Sequence, residues 1–235
     1  MKRHLNASPV ARSVYDRGMK KKLTVVSGRG VHGYCATESN LEAAAIAVFS
    51  LDPDVIRIEP QPCVFDMVSL SEYENHEAYH AATRDRQLAK RYTPDFRLSF
   101  EGGDQVLVEI KHSRLITKDA SILSYPERLA GLGIKLCIFS EEDINPDLSY
   151  NAKLLRSVAR YKNNFIPFNN APLNLRTGSA LFSEYCDAGY SSGEVFSWIV
   201  SGDLKINLSK ARIGRCSNLC PSFGNKDHLR VLRYD

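Results

Sequence analysis

Two runs near the middle of the chain, Phe96–Phe100 and Val106–Ile110, are apolar and rich in β-formers, and Glu101-Gly102-Gly103-Asp104 joins them. A short Gly-containing connection between two such runs is hairpin chemistry. An antiparallel pair is therefore predicted here, and the elements on either side have to cover its faces. Upstream, Leu41, Ala44, Ala45, Val48 and Phe49 recur at spacings of three and four, and Ser39 stands three residues before Glu42. That combination predicts a helix from about Asn40, stopped by Asp52-Pro53. Val55–Ile58 and Cys63–Val68, separated by Pro60-Gln61-Pro62, read as strands. Residues 69–91 are polar and predict a surface excursion or a short exposed helix. A helix around 119–132 and an apolar strand, Leu136–Phe139, complete an order that suits an α/β or α+β layer arrangement.

Asn145-Pro146 marks the expected domain boundary. Beyond it, Leu154, Leu155 and Val158 mark a helix, and a second amphipathic helix is expected over 176–187. Ala188-Gly189-Tyr190-Ser191-Ser192 opens a third, running through Val195, Phe196, Ile199 and Val200 and ended by Gly202. Leu204–Leu208 then reads as a strand, and helix, turn, helix, strand is the winged-helix pattern. Trp198 lies on an apolar stripe with Val195, so packing is favoured over base stacking. Three segments are expected: a basic arm over 1–35, a catalytic domain over 36–145, and a winged-helix-like domain over 146–235.

With 43% hydrophobic residues the chain has ample material for a core. No apolar run approaches the roughly 20 residues that span a bilayer, and the first residues have no apolar stretch of signal-peptide type, so a cytoplasmic location and no membrane partner are expected. The six cysteines form no CxxC pair and read as reduced core thiols. Cys216 and Cys220 would serve as two zinc ligands only with a partner pair at zinc-finger spacing, which is missing. Residues 1–30 carry eight Lys/Arg against one Asp, 31–145 carry eleven against nineteen acidic residues, and 146–235 carry twelve against seven. An acidic centre between basic ends suits a metal-dependent enzyme whose flanks touch phosphates, although a solvated surface explains it equally.

Thirteen residues separate Asp95, at the start of the first hairpin strand, from Glu109, near the end of the second, and Lys111 follows two residues later. Antiparallel pairing brings the three together. Period-two alternation puts Glu109 and Lys111 on one face and Ile110 on the other, in the core. Two carboxylates and an ammonium group make a hard-oxygen site suited to Mg²⁺, with Mn²⁺ as a substitute, and the Ile110 carbonyl offers a further oxygen. Such a site meets the needs of phosphodiester hydrolysis. A surface Glu/Lys pair beside a turn would carry the same residues. Glu42, on the preceding helix, adds a third carboxylate, but as a capping-box residue it competes with itself: a side chain turned to its own helix amide is not turned to a metal.

These motifs resemble those of TnsA, the endonuclease subunit of heteromeric cut-and-paste transposases in the PD-(D/E)xK nuclease superfamily. The likeness covers most of the chain. It runs through Ser39-Asn40-Leu41-Glu42, Gln61-Pro62, Thr93-Pro94-Asp95-Phe96, Glu109-Ile110-Lys111 (the best-known member has Gln for Glu), Ile138-Phe139-Ser140 and Ile144-Asn145-Pro146. It continues in Gly202-Asp203-Leu204-Lys205-Ile206 and in Arg215-Cys216-Ser217-Asn218-Leu219-Cys220, whose cysteines then become a packing feature. The resemblance implies a restriction-endonuclease-like mixed sheet flanked by helices, with a winged-helix-like domain after it. It implies a Mg²⁺-dependent endonuclease that cuts the 5′ strands at transposon ends, beside a TnsB-like transposase that processes the 3′ ends. A TnsC-like AAA+ regulator would bind the C-terminal region. Glu42, Asp95, Glu109 and Lys111 would form the active site, so the resemblance prefers metal binding for Glu42, with Glu38 as the fallback.

Basic residues suited to double-stranded DNA or an acidic partner are Lys20, Lys21 and Lys22 in the arm and Lys205, Lys210, Arg212 and Arg215 near the other end. Competing readings are a stand-alone restriction or repair nuclease, and a non-catalytic DNA-binding adaptor on a nuclease fold. His76 and His80, four apart, read as part of a solvated polar loop rather than a metal site.

Overall fold

The computed structural model describes residues 24–159 and 167–234. Contacts divide them into two compact units: residues 24–46, 54–143 and Tyr234 form the first, and 47–53, 144–159 and 167–233 the second.

In the first unit, β1 (Thr24–Val26) pairs antiparallel with β2 (Cys35–Thr37), and α1 (Asn40–Leu51) follows. The arm expected over 1–35 is thus corrected from Thr24 on; Lys20, Lys21 and Lys22 lie outside the described residues. Leu41, Ala43 to Phe49 and Leu51 are all buried, so α1 is apolar nearly all round, the signature of a helix enclosed on every side. From Ala47 its residues group with the second unit. The strands β3 (Val55–Pro60), β7 (Phe96–Phe100), β8 (Gln105–Ile110) and β9 (Leu136–Phe139) form a four-stranded sheet in the order β3-β7-β8-β9. The first three run antiparallel, and β9 joins β8 in parallel, making the sheet mixed. Gly103, at φ 90°, supplies the left-handed residue that closes the β7–β8 turn.

A second, three-stranded sheet in the order β5-β4-β6 is built from β4 (Val64–Asp66), β5 (Ser71–Tyr73) and β6 (Arg91–Tyr92). Between β5 and β6 lies α2 (His76–Thr83), whose first turn is capped by the Asn75 side chain at 2.9 Å from the Ala78 amide. The polar segment 69–91 is therefore a strand and a short helix, anchored by buried Tyr79 and Thr83. Lys111 is followed by α3 (Ser113–Lys118), a 3-10 turn over Ala120–Ser124, and α4 (Tyr125–Ala130). The single helix expected over 119–132 is broken because Pro126 can stand only in the first turn of a helix, and Asp119 caps the turn before it. Leu107, Cys63, Phe65, Met67, Tyr92, Ile122, Tyr125, Leu129 and Leu136 close into one apolar cluster.

In the second unit, Asn145 caps α5 (Pro146–Ala159) by accepting from the Leu148 amide at 2.8 Å. Then come α6 (Leu173–Thr177), β10 (Ala180–Leu181), α7 (Phe182–Asp187), α8 (Ser192–Ser201), β11 (Leu204–Lys205) and β12 (Asn218–Pro221). The strands pair antiparallel in the order β10-β12-β11. The helix expected over 176–187 begins only at Phe182: Gly178 is extended, and Ala180-Leu181 are drawn into pairing with Leu219 and Asn218. The strand expected over Leu204–Leu208 likewise keeps only its first two residues. Trp198 is 1% exposed and packs edge-on against Phe168, Tyr185 and Tyr190. All six cysteines are free; Cys35 and Cys63 are buried, but Cys216 is exposed, which corrects its reading as a packed thiol. Among the described residues no helix is long and apolar enough to cross a membrane.

Candidate active site

Pairing of Phe96 with Val108 sets the register of β7 against β8 and brings Asp95 level with Glu109. One Asp95 carboxylate oxygen accepts from the Ile110 amide at 2.8 Å, and the Asp95 carbonyl accepts from the Gln61 amide at 2.8 Å. The aspartate is thereby held between β8 and the segment after β3. Alternation along β8 buries Ile110 and leaves Glu109 and Lys111 half-buried on the opposite face, the one that carries Leu107.

Leu107 belongs to the apolar cluster, so Glu109 sits at its rim, and the hydroxyl of Tyr92 donates to Glu109 Oε2 at 3.1 Å. Burial pushes the Glu109 carboxyl up to about 7, against the Tyr92 hydrogen bond and the Lys111 ammonium, and the negative charge of Glu42 adds to the rise. Burial pushes the Tyr92 phenol well above its usual value, and the charges of Glu109 and Asp95 add to it. Burial likewise takes the Cys35 thiol to about 12, with Glu42 and Asp95 contributing. Glu42, Asp95 and Glu109 thus share one electrostatic environment, brought there by α1, the start of β7 and the end of β8.

Glu42 also takes part in capping α1. Its amide donates to Ser39 Oγ at 3.1 Å, and its Oε2 accepts from the Glu38 amide at 2.9 Å. The carboxylate reaches one residue beyond the usual capping-box partner. Just after Lys111, Glu141 accepts from the Ser113 hydroxyl at 2.7 Å and the Ser113 amide at 2.9 Å, and lies 3.2 Å from His112 Nδ1. The Ser113 hydrogen bonds lower the Glu141 carboxyl to about 2. That staple fixes the chain as it leaves β8.

Tyr92 and Cys35 were not legible as site residues. Tyr92 is adjacent in sequence to the Thr93-Pro94-Asp95 motif, but nothing local says that its hydroxyl reaches β8. His76 and His80 lie on α2, not in a loop, and are engaged elsewhere: His76 Nε2 is 3.1 Å from Thr93 Oγ1, and His80 Nε2 is 3.1 Å from the Arg91 guanidinium. In the second unit, Lys205, Lys210, Arg212 and Arg215 are all exposed. Arg212 pairs with Asp147 at 3.4 Å and lies over the Tyr150 ring, while Arg215 pairs with Asp187 at 3.3 Å. Clefts of about 550 and 590 Å³ adjoin at Ile206, Asn207 and Asn218; Lys210 and Arg212 line one, Lys205 and Arg233 the other.

The donors are the hard oxygens that a divalent cation such as Mg²⁺ takes. Each carboxylate has a protein donor as well: Ile110 N–H for Asp95, Glu38 N–H for Glu42 and the Tyr92 hydroxyl for Glu109. Among the described residues no three His, Cys, Asp or Glu side chains stand ready-made as a metal cage. Asp95 and Glu109 at adjoining strand ends, with Glu109 raised by burial and by the charge of Glu42, nonetheless fit a site that gains from a cation. No protein-family model matches the chain, and no curated protein matches it.

Proposed function

We propose that this chain is a divalent-metal-dependent DNA endonuclease of PD-(D/E)xK type, working as the 5′-strand-cutting subunit of a multi-protein transposase. The observation that carries the proposal is the meeting of Asp95, Glu109 and Lys111 at the adjoining ends of β7 and β8, with Glu42 in the same electrostatic field. Asp95 and Glu109 would hold Mg²⁺, joined by Glu42 and the Ile110 carbonyl. When bound, the cation polarises the scissile phosphate and lowers the pKa of water. Lys111 supplies a fixed positive charge where negative charge develops on the phosphate. Asp95 is oriented for its part by the Ile110 and Gln61 amides, Glu109 by Tyr92.

The second unit is read as the winged-helix-like docking module. Its helix α8, which in a DNA-reading helix-turn-helix would enter the groove, carries no Lys or Arg and buries Val195, Trp198 and Ile199. Five of its exposed cations, Lys205, Lys210, Arg212, Arg230 and Arg233, line the clefts after β11, which favours an acidic surface of a TnsC-like regulator over base reading. The test is strand-resolved cleavage of a transposon-end duplex in Mg²⁺ or Mn²⁺, with and without the transposase and regulator, comparing wild type with Asp95→Ala. A 5′-strand cut made by wild type and lost in Asp95→Ala is expected. Identical products from both proteins in an assembled complex would make the chain a scaffold.

A further inference from the structure

Lys90 and Tyr92 are two residues apart, so along an extended chain their side chains share a face. Both reach the same ring: Tyr92 meets Tyr125 edge-on at 4.8 Å between centroids, and the Lys90 ammonium lies 5.3 Å from the Tyr125 centroid. Tyr92 continues down to Glu109, whereas Lys90 is exposed at the upper rim, its Nζ 3.0 Å from Ser121 Oγ. Asp119, on the turn that follows α3, is held below the usual carboxylate range by the Ser121 hydroxyl and amide, and the ammonium groups of Lys111 and Lys90 both act on it. Lys90 therefore shares a rim with the active-site lysine.

Several nearby cations have partners of their own. Arg86 pairs with Asp66 at 3.1 Å, Arg97 with Glu72 at 3.1 Å, and Arg128 donates to the Met67 carbonyl. Lys90 makes no ion pair within 4.0 Å among the described residues, and neither does Lys111. Its direct partners are a neutral hydroxyl and an aromatic face, and the Asp119 carboxylate, which accepts from that same hydroxyl at 2.7 Å, acts on it from beyond the hydroxyl rather than as an ion pair. A positioned, exposed cation with no direct ion pair, beside a hydrolytic site, is what a polyanionic strand requires.

We propose that Lys90 is a second phosphate-binding residue of this site, contacting the DNA backbone next to the phosphate that Asp95, Glu109 and Lys111 address. This rests on the endonuclease reading above. The contact is to backbone, so it adds affinity without sequence preference, and Lys111 keeps the reacting phosphate to itself.

The experiment is a salt titration of duplex binding by the full chain, using a fluorescently labelled double-stranded oligonucleotide with Ca²⁺ in place of Mg²⁺ to hold back cleavage. Wild type is compared with Lys90→Met, which keeps an apolar stem on Tyr125, and with Lys90→Arg, which keeps the charge. Lys90→Met is expected to bind about threefold to tenfold more weakly at moderate salt and to lower the slope of log Kd against log salt by about 0.9, the value of one phosphate contact. Lys90→Arg is expected to restore both, with thermal melting unchanged in all three. An unchanged slope in folded Lys90→Met, or an Arg variant as weak as the Met variant, overturns the role of Lys90 while leaving the endonuclease reading standing. Wild type that fails to bind the duplex at any salt overturns both. If Lys90→Met does not fold, Lys90→Gln carries the same comparison.

Discussion

Glu109 is half-buried because β8 carries it past Leu107 of an apolar cluster, and the Tyr92 hydroxyl donates to it. Groups that orient a ligating carboxylate typically matter ten- to a hundredfold for metal affinity, so Tyr92→Phe is expected to weaken Mn²⁺ binding by about tenfold. Calorimetric titration of the variant checks this, and wild-type affinity would reduce Tyr92 to a packing residue. Asp66 shows the same economy in a structural role. Its side chain is fully buried, and it accepts from the Lys90 and Val68 amides at 3.0 Å each, from Ser69 Oγ at 2.8 Å and from Arg86 at 3.1 Å. Burial alone would raise its carboxyl; the hydrogen bonds and Arg86 outweigh that and hold it below the ordinary aspartate value. A carboxyl depressed in the fold contributes stability above its unfolded pKa and loses it as pH falls through the folded one. Asp66→Asn is therefore expected to cost roughly 2 kcal/mol at neutral pH, where charge-assisted hydrogen bonds to a buried carboxylate are lost. The gap from wild type in thermal melts should shrink as the pH falls below the ordinary aspartate range. A gap independent of pH would mean that the carboxylate's charge contributes nothing.

At the scale of elements, α8 depends on its two ends. Ser191 accepts from the Glu194 amide at 3.3 Å, and Glu194 returns a bond to the Ser191 amide at 2.6 Å. Gly202 ends the helix at φ 87°, with space for a Cβ denied by the Asn225 carbonyl at 2.8 Å. Gly202→Ala combines a left-handed backbone with a contact against main chain and is expected to lose about 2 kcal/mol or more, read from urea unfolding. An unaltered midpoint would show that the loop at 224–226 moves freely aside. The segment after β11 is tied to α5 by the buried Asn151, which donates to the carbonyls of Leu208 and Ala211 and accepts from the Ile213 amide, each at 2.8 Å. Asn151→Leu strands three main-chain groups and is expected to destabilise by roughly 3 kcal/mol. In sequence this residue is an unremarked polar position within a helix.

For the whole molecule, the proposed function would make the chain one subunit with one active site, whereas excision requires cuts at two ends. Cleavage by the isolated protein is accordingly expected to be weak or absent and to rise when transposase and regulator are added; robust site-specific double-strand cutting by the chain alone would contradict this. The amino-acid sequence by itself determined the β7–β8 hairpin, the start of α1 at Asn40, the caps of α8 and the core position of Trp198. Each of these follows from turn chemistry, capping or apolar period within a few neighbouring residues. It also singled out Asp95, Glu109 and Lys111, because a two-residue period along a hairpin needs no distant partner. Tertiary structure alone decided the rest. The helix over 119–132 broke into shorter pieces, Ala180-Leu181 left a helical pattern for a strand partner, and Tyr92, Lys90 and Asn151 found hydrogen-bond partners 17, 31 and 57 positions away. Such contacts follow from which faces pack together once the apolar surfaces are buried, and that choice leaves no periodic mark on the chain.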